Sequence, residues 1–354
     1  MNNKIRIAII FGGKSVEHEV SLRSAKNIIS ELDKDKYDIE CIEINKKGHW
    51  YALGNISDLS IDTPSYTNLA LVNSGNKKLV KKNNFKRLIY YDVVFPILHG
   101  PFGEDGTVQG LLKLMDVPYV GADVLGSAIG MAKDVTKRLL REAHILTTDF
   151  LVYTSSEIDY SFVKQKFGLP FFVKPANLGS SVGVSKVHNE TEFNKAIKEA
   201  FSFDTKILIE KNVKGREIEC SVLGNENPIA SIPGEVIVKN DFYSYEAKYI
   251  DPDAAVIDIP AKLPKSIIKK IQNIAVKTFK TLCCSGMARV DFFLDEKNKI
   301  YVNEINTIPG FTNISMYPKL WEKSGITYTQ LLDRLISLAI ERHSKEQKLK
   351  TSCV

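Results

Sequence analysis

The chain reads as an α/β protein of several domains, and three stretches carry that reading. Near the start, the apolar run Ile5 to Phe11 flows into Gly12-Gly13, after which Val20, Leu22, Ala25, Ile28, Ile29 and Leu32 recur at helical spacing: a buried strand, a tight glycine loop and a helix. In the middle, apolar Phe171 to Val173 precede Lys174 and the glycine- and serine-rich run Pro175 to Val184. Towards the end, Met287 to Phe311 has the alternation of a β-hairpin that gathers acids on one face.

With 354 residues, 44% of them hydrophobic, the chain exceeds one ordinary core, so two or three domains are expected. No apolar run approaches the roughly 20 residues that span a bilayer, and the opening apolar run is a first strand rather than a signal peptide. Five cysteines without a C-x-x-C pair argue against a disulfide framework and a structural zinc site, and a reducing cytoplasm fits them. The net charge of +6 is spread along the chain. Its densest lysines, Lys77, Lys78, Lys81 and Lys82, lack the stacking aromatics of a nucleic-acid groove and read as a solvated loop. Lys345 to Lys350 reads as a frayed helix end.

Tyr37 to Ile44 is the second strand. Asp92 to Leu98 is another, its Pro96 suiting an edge or a strand end. The glycine-rich loop His99 to Gly106 and a helix over Thr107 to Met115 follow. Such alternation suggests a parallel sheet with ligand loops at its carboxyl ends. From Gly126 a helix carries Lys133, and a second domain begins near there. Further strands are Phe171 to Lys174, Ile207 to Lys211 and Glu217 to Leu223; Asn240 to Asp253 reads as a mobile loop, and Ile267, Ile271, Ile274, Ala275, Thr278 and Leu282 mark one helix face. No internal repeat is evident.

In the hairpin, a turn over Asp295 to Lys299 that pairs Leu294 with Tyr301 sets Asp291 opposite Glu304 and Arg289 opposite Asn306, with Val290 and Ile305 on the other face. Two carboxylates so placed stand about 5 Å apart at Cβ and need a cation or a proton between them. Their oxygens suit Mg²⁺ completed by nucleotide phosphates. The bland alternative is an exposed hairpin whose acids pair with Arg289 and nearby lysines. Gly179 to Gly183 can aim several N–H groups at a phosphate, with Lys174 beside them, or it is a plain surface turn. Glu17 and His18 follow the first glycine turn, where an acid is also common as a dipole partner. His99 and Glu104 sit in a second loop that can open on the same crevice. Tyr243, Tyr245, Glu246, Lys248 and Tyr249 lie in the loop that either closes over a reacting phosphate or is simply solvated.

In order, G-G-K-S-V-E-H-E-V-S-L (12 to 22), H-G-P-F-G-E-D-G (99 to 106), G-S-A-I-G-M-A-K (126 to 133), V-K-P-A-N-L-G-S-S-V-G-V-S-K-V (173 to 187), Y-E-A-K-Y (245 to 249) and A-R-V-D-F-F through N-E-I-N-T-I-P-G-F-T (288 to 312) cover nearly the whole length. In them the chain resembles the D-alanine–D-alanine ligase family of ATP-grasp enzymes. The resemblance implies an N-terminal Rossmann-like domain (1–125), then central (126–214) and C-terminal (215–354) α+β domains enclosing ATP, with a lid at 240–253 and a metal hairpin at 287–307. It implies a cytoplasmic enzyme of peptidoglycan precursor synthesis, a homodimer, using ATP and Mg²⁺ (two ions, with Mn²⁺ as a substitute) to join two D-alanines through an acyl phosphate, with no nucleic-acid or membrane partner.

By position, Glu17 resembles the residue that holds the first substrate's ammonium, with His99 close by; Ser180 and Tyr249 match its partners in shutting the lid. Lys133 and Lys174 match the phosphate lysines, joined by Ser180, Ser181 and the lid's Lys248. Glu210, Lys211 and Val213 match the adenine hinge and Glu217 the ribose contact, while Asp291, Glu304 and Asn306 match the metal ligands. Arg289 and the Gly310 N–H match the oxyanion donors, and Ser315 and Met316 the site of the second carboxylate. Ala132 departs from the pattern, which has an Asp there. Rivals are a D-serine or D-lactate ligase of the same fold, a dinucleotide-binding oxidoreductase, which lacks its G-x-G-x-x-G, and a catalytically silent ATP-binding regulator.

Overall fold

The computed structural model describes residues 4–53, 67–71, 78–81, 88–238, 255–350 and 352. Strands β1 (Ile5–Gly12), β2 (Tyr37–Ile44), β3 (Trp50–Leu53), β4 (Thr67–Leu71), β5 (Lys78–Lys81), β6 (Leu88–Tyr90) and β7 (Val93–Leu98) form one sheet in the order β6-β5-β4-β3-β2-β1-β7. Helices α1 (His18–Glu31) and α2 (Thr107–Leu114) belong to the same region. The expected parallel sheet is confined to β2, β1 and β7; β3 to β6 extend it by antiparallel pairing. Pro96 lies on the edge strand β7, as its missing N–H predicts. The lysine-rich stretch is not a plain loop: Lys78 and Lys81 flank Leu79-Val80 in β5, and these pair with β4 and β6.

Helices α3 (Val124–Met131) and α4 (Lys133–Glu142) lead to a second sheet. The single helix expected through Lys133 is broken at Ala132, whose ψ of 90° leaves the helical region, and the Lys133 N–H donates to the Ala176 carbonyl at 3.0 Å instead of continuing the ladder. The second sheet contains β8 (Phe150–Tyr153), β9 (Phe171–Pro175), β10 (Ser185–Val187) and β11 (Ile207–Lys211), in the antiparallel order β10-β9-β11-β8. Its alternating residues Phe171, Val173, Ile207 and Ile209 are buried with Val163 of α5 (Tyr160–Phe167) and Phe193 of α6 (Glu190–Phe203). The period of two turns Lys174 and Glu210 to the opposite face.

A third sheet contains β12 (Gly215–Gly224), β13 (Ile229–Ala230), β14 (Gly234–Val238), β15 (Ala255–Asp258), β16 (Gly286–Asp295) and β17 (Ile300–Asn306), ordered β15-β14-β12-β16-β17 with β13 beside β12. One face buries Ile218, Cys220, Val290 and Phe292 against Ile271, Ala275 and Phe279 of α7 (Lys265–Thr281). The other face therefore carries Glu217, Glu219, Arg289 and Asp291.

The last helices, α8 (Met316–Lys323) and α9 (Tyr328–Glu346), close over the first sheet rather than the third alone. Trp321, Leu331 and Leu335 share a core with Phe11, Ile28 and Phe95. Phe311, fully buried, is the joint: its ring lies 5.9 Å from Phe95 of β7, 5.5 Å from Tyr317 and 6.1 Å from Tyr328. No helix among the described residues is long and apolar enough to cross a membrane. Removing the Phe311 ring leaves a cavity at this joint, so Phe311→Ala should cost about 3–5 kcal/mol in urea unfolding; a loss below about 1 kcal/mol would contradict the shared core.

Candidate active site

A cavity of about 450 Å³ opens where the three sheets meet. Glu17, His99 and Glu104 reach it from the first sheet's loops, Ser180 from the serine loop, Arg289, Glu304 and Asn306 from the third sheet, and Gly310, Ser315 and Met316 from the segment entering α8.

The hairpin supplies its floor. Asp291 stands opposite Glu304, Arg289 opposite Asn306 and Val290 opposite Ile305, as strand periodicity predicts. The expected pairing of Leu294 with Tyr301 does not occur. Between Asp291 and Phe292 the register shifts by one, Asn303 being the extra residue, and Leu294 pairs with Ile300. The Arg289 guanidinium donates from Nε and Nη2 to the two Asp291 oxygens, each at 2.7 Å, and its Nε also lies 2.8 Å from Glu219 Oε2. Asn306 Nδ2 donates to Asp291 Oδ2 at 2.9 Å. Burial alone disfavours the guanidinium's charge, but Asp291 and Glu219 outweigh it and raise its pKa well above the ordinary arginine value.

Glu219 pairs in register with Asp291, so Glu219, Asp291 and Glu304 align across three neighbouring strands. Glu219 is not among the expected site residues, and its signal in the sequence is the two-residue step from Glu217 on one strand face. Two carboxylates and an amide on one face form an all-oxygen donor set, which fits a hard divalent cation better than zinc.

The bland reading of Glu17 as a dipole partner does not describe its side chain. It occupies the N-cap of α1 without capping it, is only 6% exposed, and accepts a hydrogen bond from the Ser180 hydroxyl across two sheets. Gly100 makes room: at φ +74° its missing Cβ would fall 2.7 Å from Glu17 Oε2. His18, in contrast, is buried and hydrogen-bonds the Gly13 carbonyl at 2.9 Å.

His99 Nδ1 lies 3.1 Å from the Ile308 carbonyl, an acceptor, so Nδ1 carries the proton and Nε2 faces Ser24 Oγ at 3.4 Å. Burial lowers its pKa to about 4 and keeps it neutral. Glu104 accepts from the Gly100 and Ile308 N–H groups at 2.9 and 3.1 Å. Burial first, then the charge of Glu17, pushes its carboxyl well above the usual carboxylate range.

Of the expected nucleotide residues Ser180 lines the cavity, whereas Lys174 and Glu210 lie outside its lining on the second sheet's polar face, Lys133 and Ser181 lie near them, and Glu217 is on the third sheet. Ser180 and Ser181 take left-handed φ values of 53° and 60°, a conformation non-glycine residues hold at a cost of about 1 kcal/mol or more each and one that turns consecutive N–H groups to a common side. Lys133 donates from Nζ to the Leu178 carbonyl next to this loop. Lys174 lies 2.9 Å from Glu210. Burial works against the Glu210 charge, yet Lys137 and Lys174 hold its carboxyl down at about 2. Lys211 is exposed and its N–H donates to the Asp149 carbonyl at 2.9 Å; Val213 and Glu217 follow, both half-buried. The lid residues Tyr243, Tyr245, Glu246, Lys248 and Tyr249 lie outside the described residues.

Likeness to solved structures places the fold among the ATP-grasp enzymes. Family models narrow this further: the one described as "D-ala D-ala ligase N-terminus" matches residues 6–122 and "D-ala D-ala ligase C-terminus" matches 139–337. The chain belongs to the D-alanine–D-alanine ligase family. It is 52% identical to the D-alanine–D-alanine ligase of Oceanobacillus iheyensis, over 99% of each chain. Among solved structures, the D-alanine–D-alanine ligase from Coxiella burnetii superposes with a TM-score of 0.87 at 43% identity, covering 98% of this chain and 96% of that one. The D-Ala:D-Ser ligase of Enterococcus faecalis gives 0.86 at 35%, covering 95% and 100%. The Bacillus anthracis ligase complexed with ATP gives 0.73 at 30%, covering 98% and 100%.

The buried, neutral His99 makes a signed pH prediction. Unfolding exposes a histidine that takes up a proton below about 6.5, whereas the folded one resists down to about 4. The unfolded state thus binds more protons in that window, and stability is lost as pH falls through it, by up to about 3 kcal/mol. Chemical unfolding of His99→Gln between pH 4 and 7 should show a flatter profile than the native chain; parallel profiles would contradict the assignment.

Proposed function

We propose that the protein couples two D-alanine molecules at the expense of ATP, by way of a D-alanyl phosphate. The observation that carries this reading is that Arg289, Glu304 and Asn306, aligned on one face with Asp291 between them, line the same cavity as the Glu17–Ser180 pair. Phosphoryl transfer asks the protein for positioning and charge neutralisation rather than for a side-chain nucleophile. Glu17, in reach of a bound ammonium, would hold the first D-alanine with its carboxylate towards the hairpin, and His99 beside it stays neutral.

A carboxylate oxygen of that D-alanine takes the γ-phosphoryl group and ADP leaves. The free amine of the second D-alanine then attacks the acyl carbon and gives up a proton, and the tetrahedral intermediate collapses by expelling inorganic phosphate. Arg289 and the Gly310 N–H are suited to the oxyanion, since preorganised donors need no reorganisation when charge appears there. Gly310 is crowded on its side-chain face, where a Cβ would lie 2.7 Å from Ser315 Oγ, so its backbone is held close to the residues assigned to the second carboxylate, Ser315 and Met316.

Lys133, Lys174, Ser180, Ser181 and Lys248 would contact the nucleotide phosphates; Glu210, Lys211, Val213 and Glu217 would contact adenine and ribose. The oxygen donors of Asp291, Glu304 and Asn306 suit Mg²⁺, two ions in the family pattern and replaceable by Mn²⁺, whose chemistry when bound is neutralisation of phosphate charge. D-alanine is favoured over D-serine as second substrate because the relative at 52% identity is a D-alanine–D-alanine ligase, whereas the D-Ala:D-Ser ligase structure stands at 35%. The division at 1–125, 126–214 and 215–354, Tyr249 as a lid partner of Glu17, a cytoplasmic homodimer and a place in peptidoglycan precursor synthesis rest on the family likeness.

Phosphate release in ATP and Mg²⁺ should depend on D-alanine, with L-alanine, D-serine and D-lactate giving far less. Glu304→Gln keeps the shape but removes one of the facing charges, and should lower the rate by about a hundredfold or more, the equivalent of about 2.7 kcal/mol. Release that ignores D-alanine, or survives Glu304→Gln unchanged, would overturn the reading.

A further inference from the structure

Lys137 has no part in the scheme above, yet it is 1% exposed and lies one helical turn beyond Lys133 on α4. Its ammonium donates to Thr147 Oγ1 at 3.0 Å and Thr148 Oγ1 at 2.7 Å, and lies 3.2 Å from Glu210 Oε1. The Thr148 hydroxyl passes the contact on, donating to Glu210 Oε2 at 3.0 Å, the oxygen that Lys174 reaches at 2.9 Å. The ring of Phe150 closes the site at 5.9 Å. Two ammoniums thus share one carboxylate, all three side chains being less than a tenth exposed.

This arrangement has a consequence for charge. A lone Lys174–Glu210 pair is neutral and offers an incoming anion little; with Lys137 the trio carries a net positive charge in surroundings that screen it weakly. Burying a further ammonium is costly and contributes little to stability by itself. We propose that Lys137 is a positioning residue for the nucleotide: by occupying Glu210, it releases Lys174 to turn its ammonium onto phosphate. The inference rests on Lys174 being a phosphate ligand.

Equilibrium binding of ATP and of adenosine, which has the base and ribose but no phosphate, separates the possibilities on the full chain. Lys137→Met should weaken ATP about tenfold, the equivalent of about 1.4 kcal/mol, and leave adenosine unchanged. Adding Glu210→Gln should restore the ratio of ATP to adenosine affinity, because no carboxylate then competes for Lys174, while any change in the adenine contact of Glu210 falls on both ligands alike. Equal losses for both ligands, no loss for ATP, or a double variant no better than the single one would overturn the proposal. Should Lys137→Met not fold, the double variant against Glu210→Gln alone carries the test: the two should bind ATP within about threefold, and a gap of about tenfold or more overturns the proposal. A native chain that binds ATP no better than adenosine overturns instead the phosphate role of Lys174, and this inference with it.

Discussion

The guanidinium of Arg289 is what allows three carboxylates to stand in a row across β12, β16 and β17. Glu219, Asp291 and Glu304 are in register, and like charges on directly opposed positions repel. Arg289 answers with a two-point fork to Asp291 and a further contact to Glu219. The sheet can afford this polar face because its other face is dry: Val290 and Phe292 lie against α7, and a slip of one residue would send them to the cavity and the acids into the core. Packing on one face therefore sets the chemistry of the other.

A second constraint joins that face to the first sheet. The main chain of Ile308 gives its carbonyl to His99 and its N–H to Glu104, and three residues on Phe311 enters the core beside Phe95 while its N–H reaches Ser24 at 3.2 Å. The segment 308–311, which includes Gly310, is thus held at both ends. Glu17 adds a crossing from the first sheet's loop to the serine loop through Ser180. Groups far apart in the chain are brought to one cavity by main-chain contacts as much as by side chains.

Much of this was legible in residue order, where one period dominates. The run into Gly12-Gly13 and the apolar spacing of α1 point to strand, loop and helix, and strand alternation with an assumed Leu294–Tyr301 pairing sets Asp291 opposite Glu304, a pair that holds although Leu294 meets Ile300. What failed depended on contacts from elsewhere. The extra Asn303 shifts the register by a single residue near the turn, which no alternation reveals. The break at Ala132 is made by the Ala176 carbonyl, 44 residues away in the chain. β5 is too short and too charged to read as a strand until its neighbours pair with it. In the serine loop Gly183 takes a left-handed φ, as a glycine can, but so do Ser180 and Ser181, which their residue type does not announce. Glu219 and Lys137 were passed over because their roles arise from partners on other elements.

The proposed central step is the activation of a carboxylic acid by phosphorylation on this face. The direct measurement is to supply D-alanine labelled with ¹⁸O in its carboxylate, together with unlabelled ATP, and to weigh the inorganic phosphate released. Transfer of one labelled oxygen to each phosphate is the predicted result, because the oxygen that accepts the γ-phosphoryl group departs with it. Phosphate free of label would contradict the account.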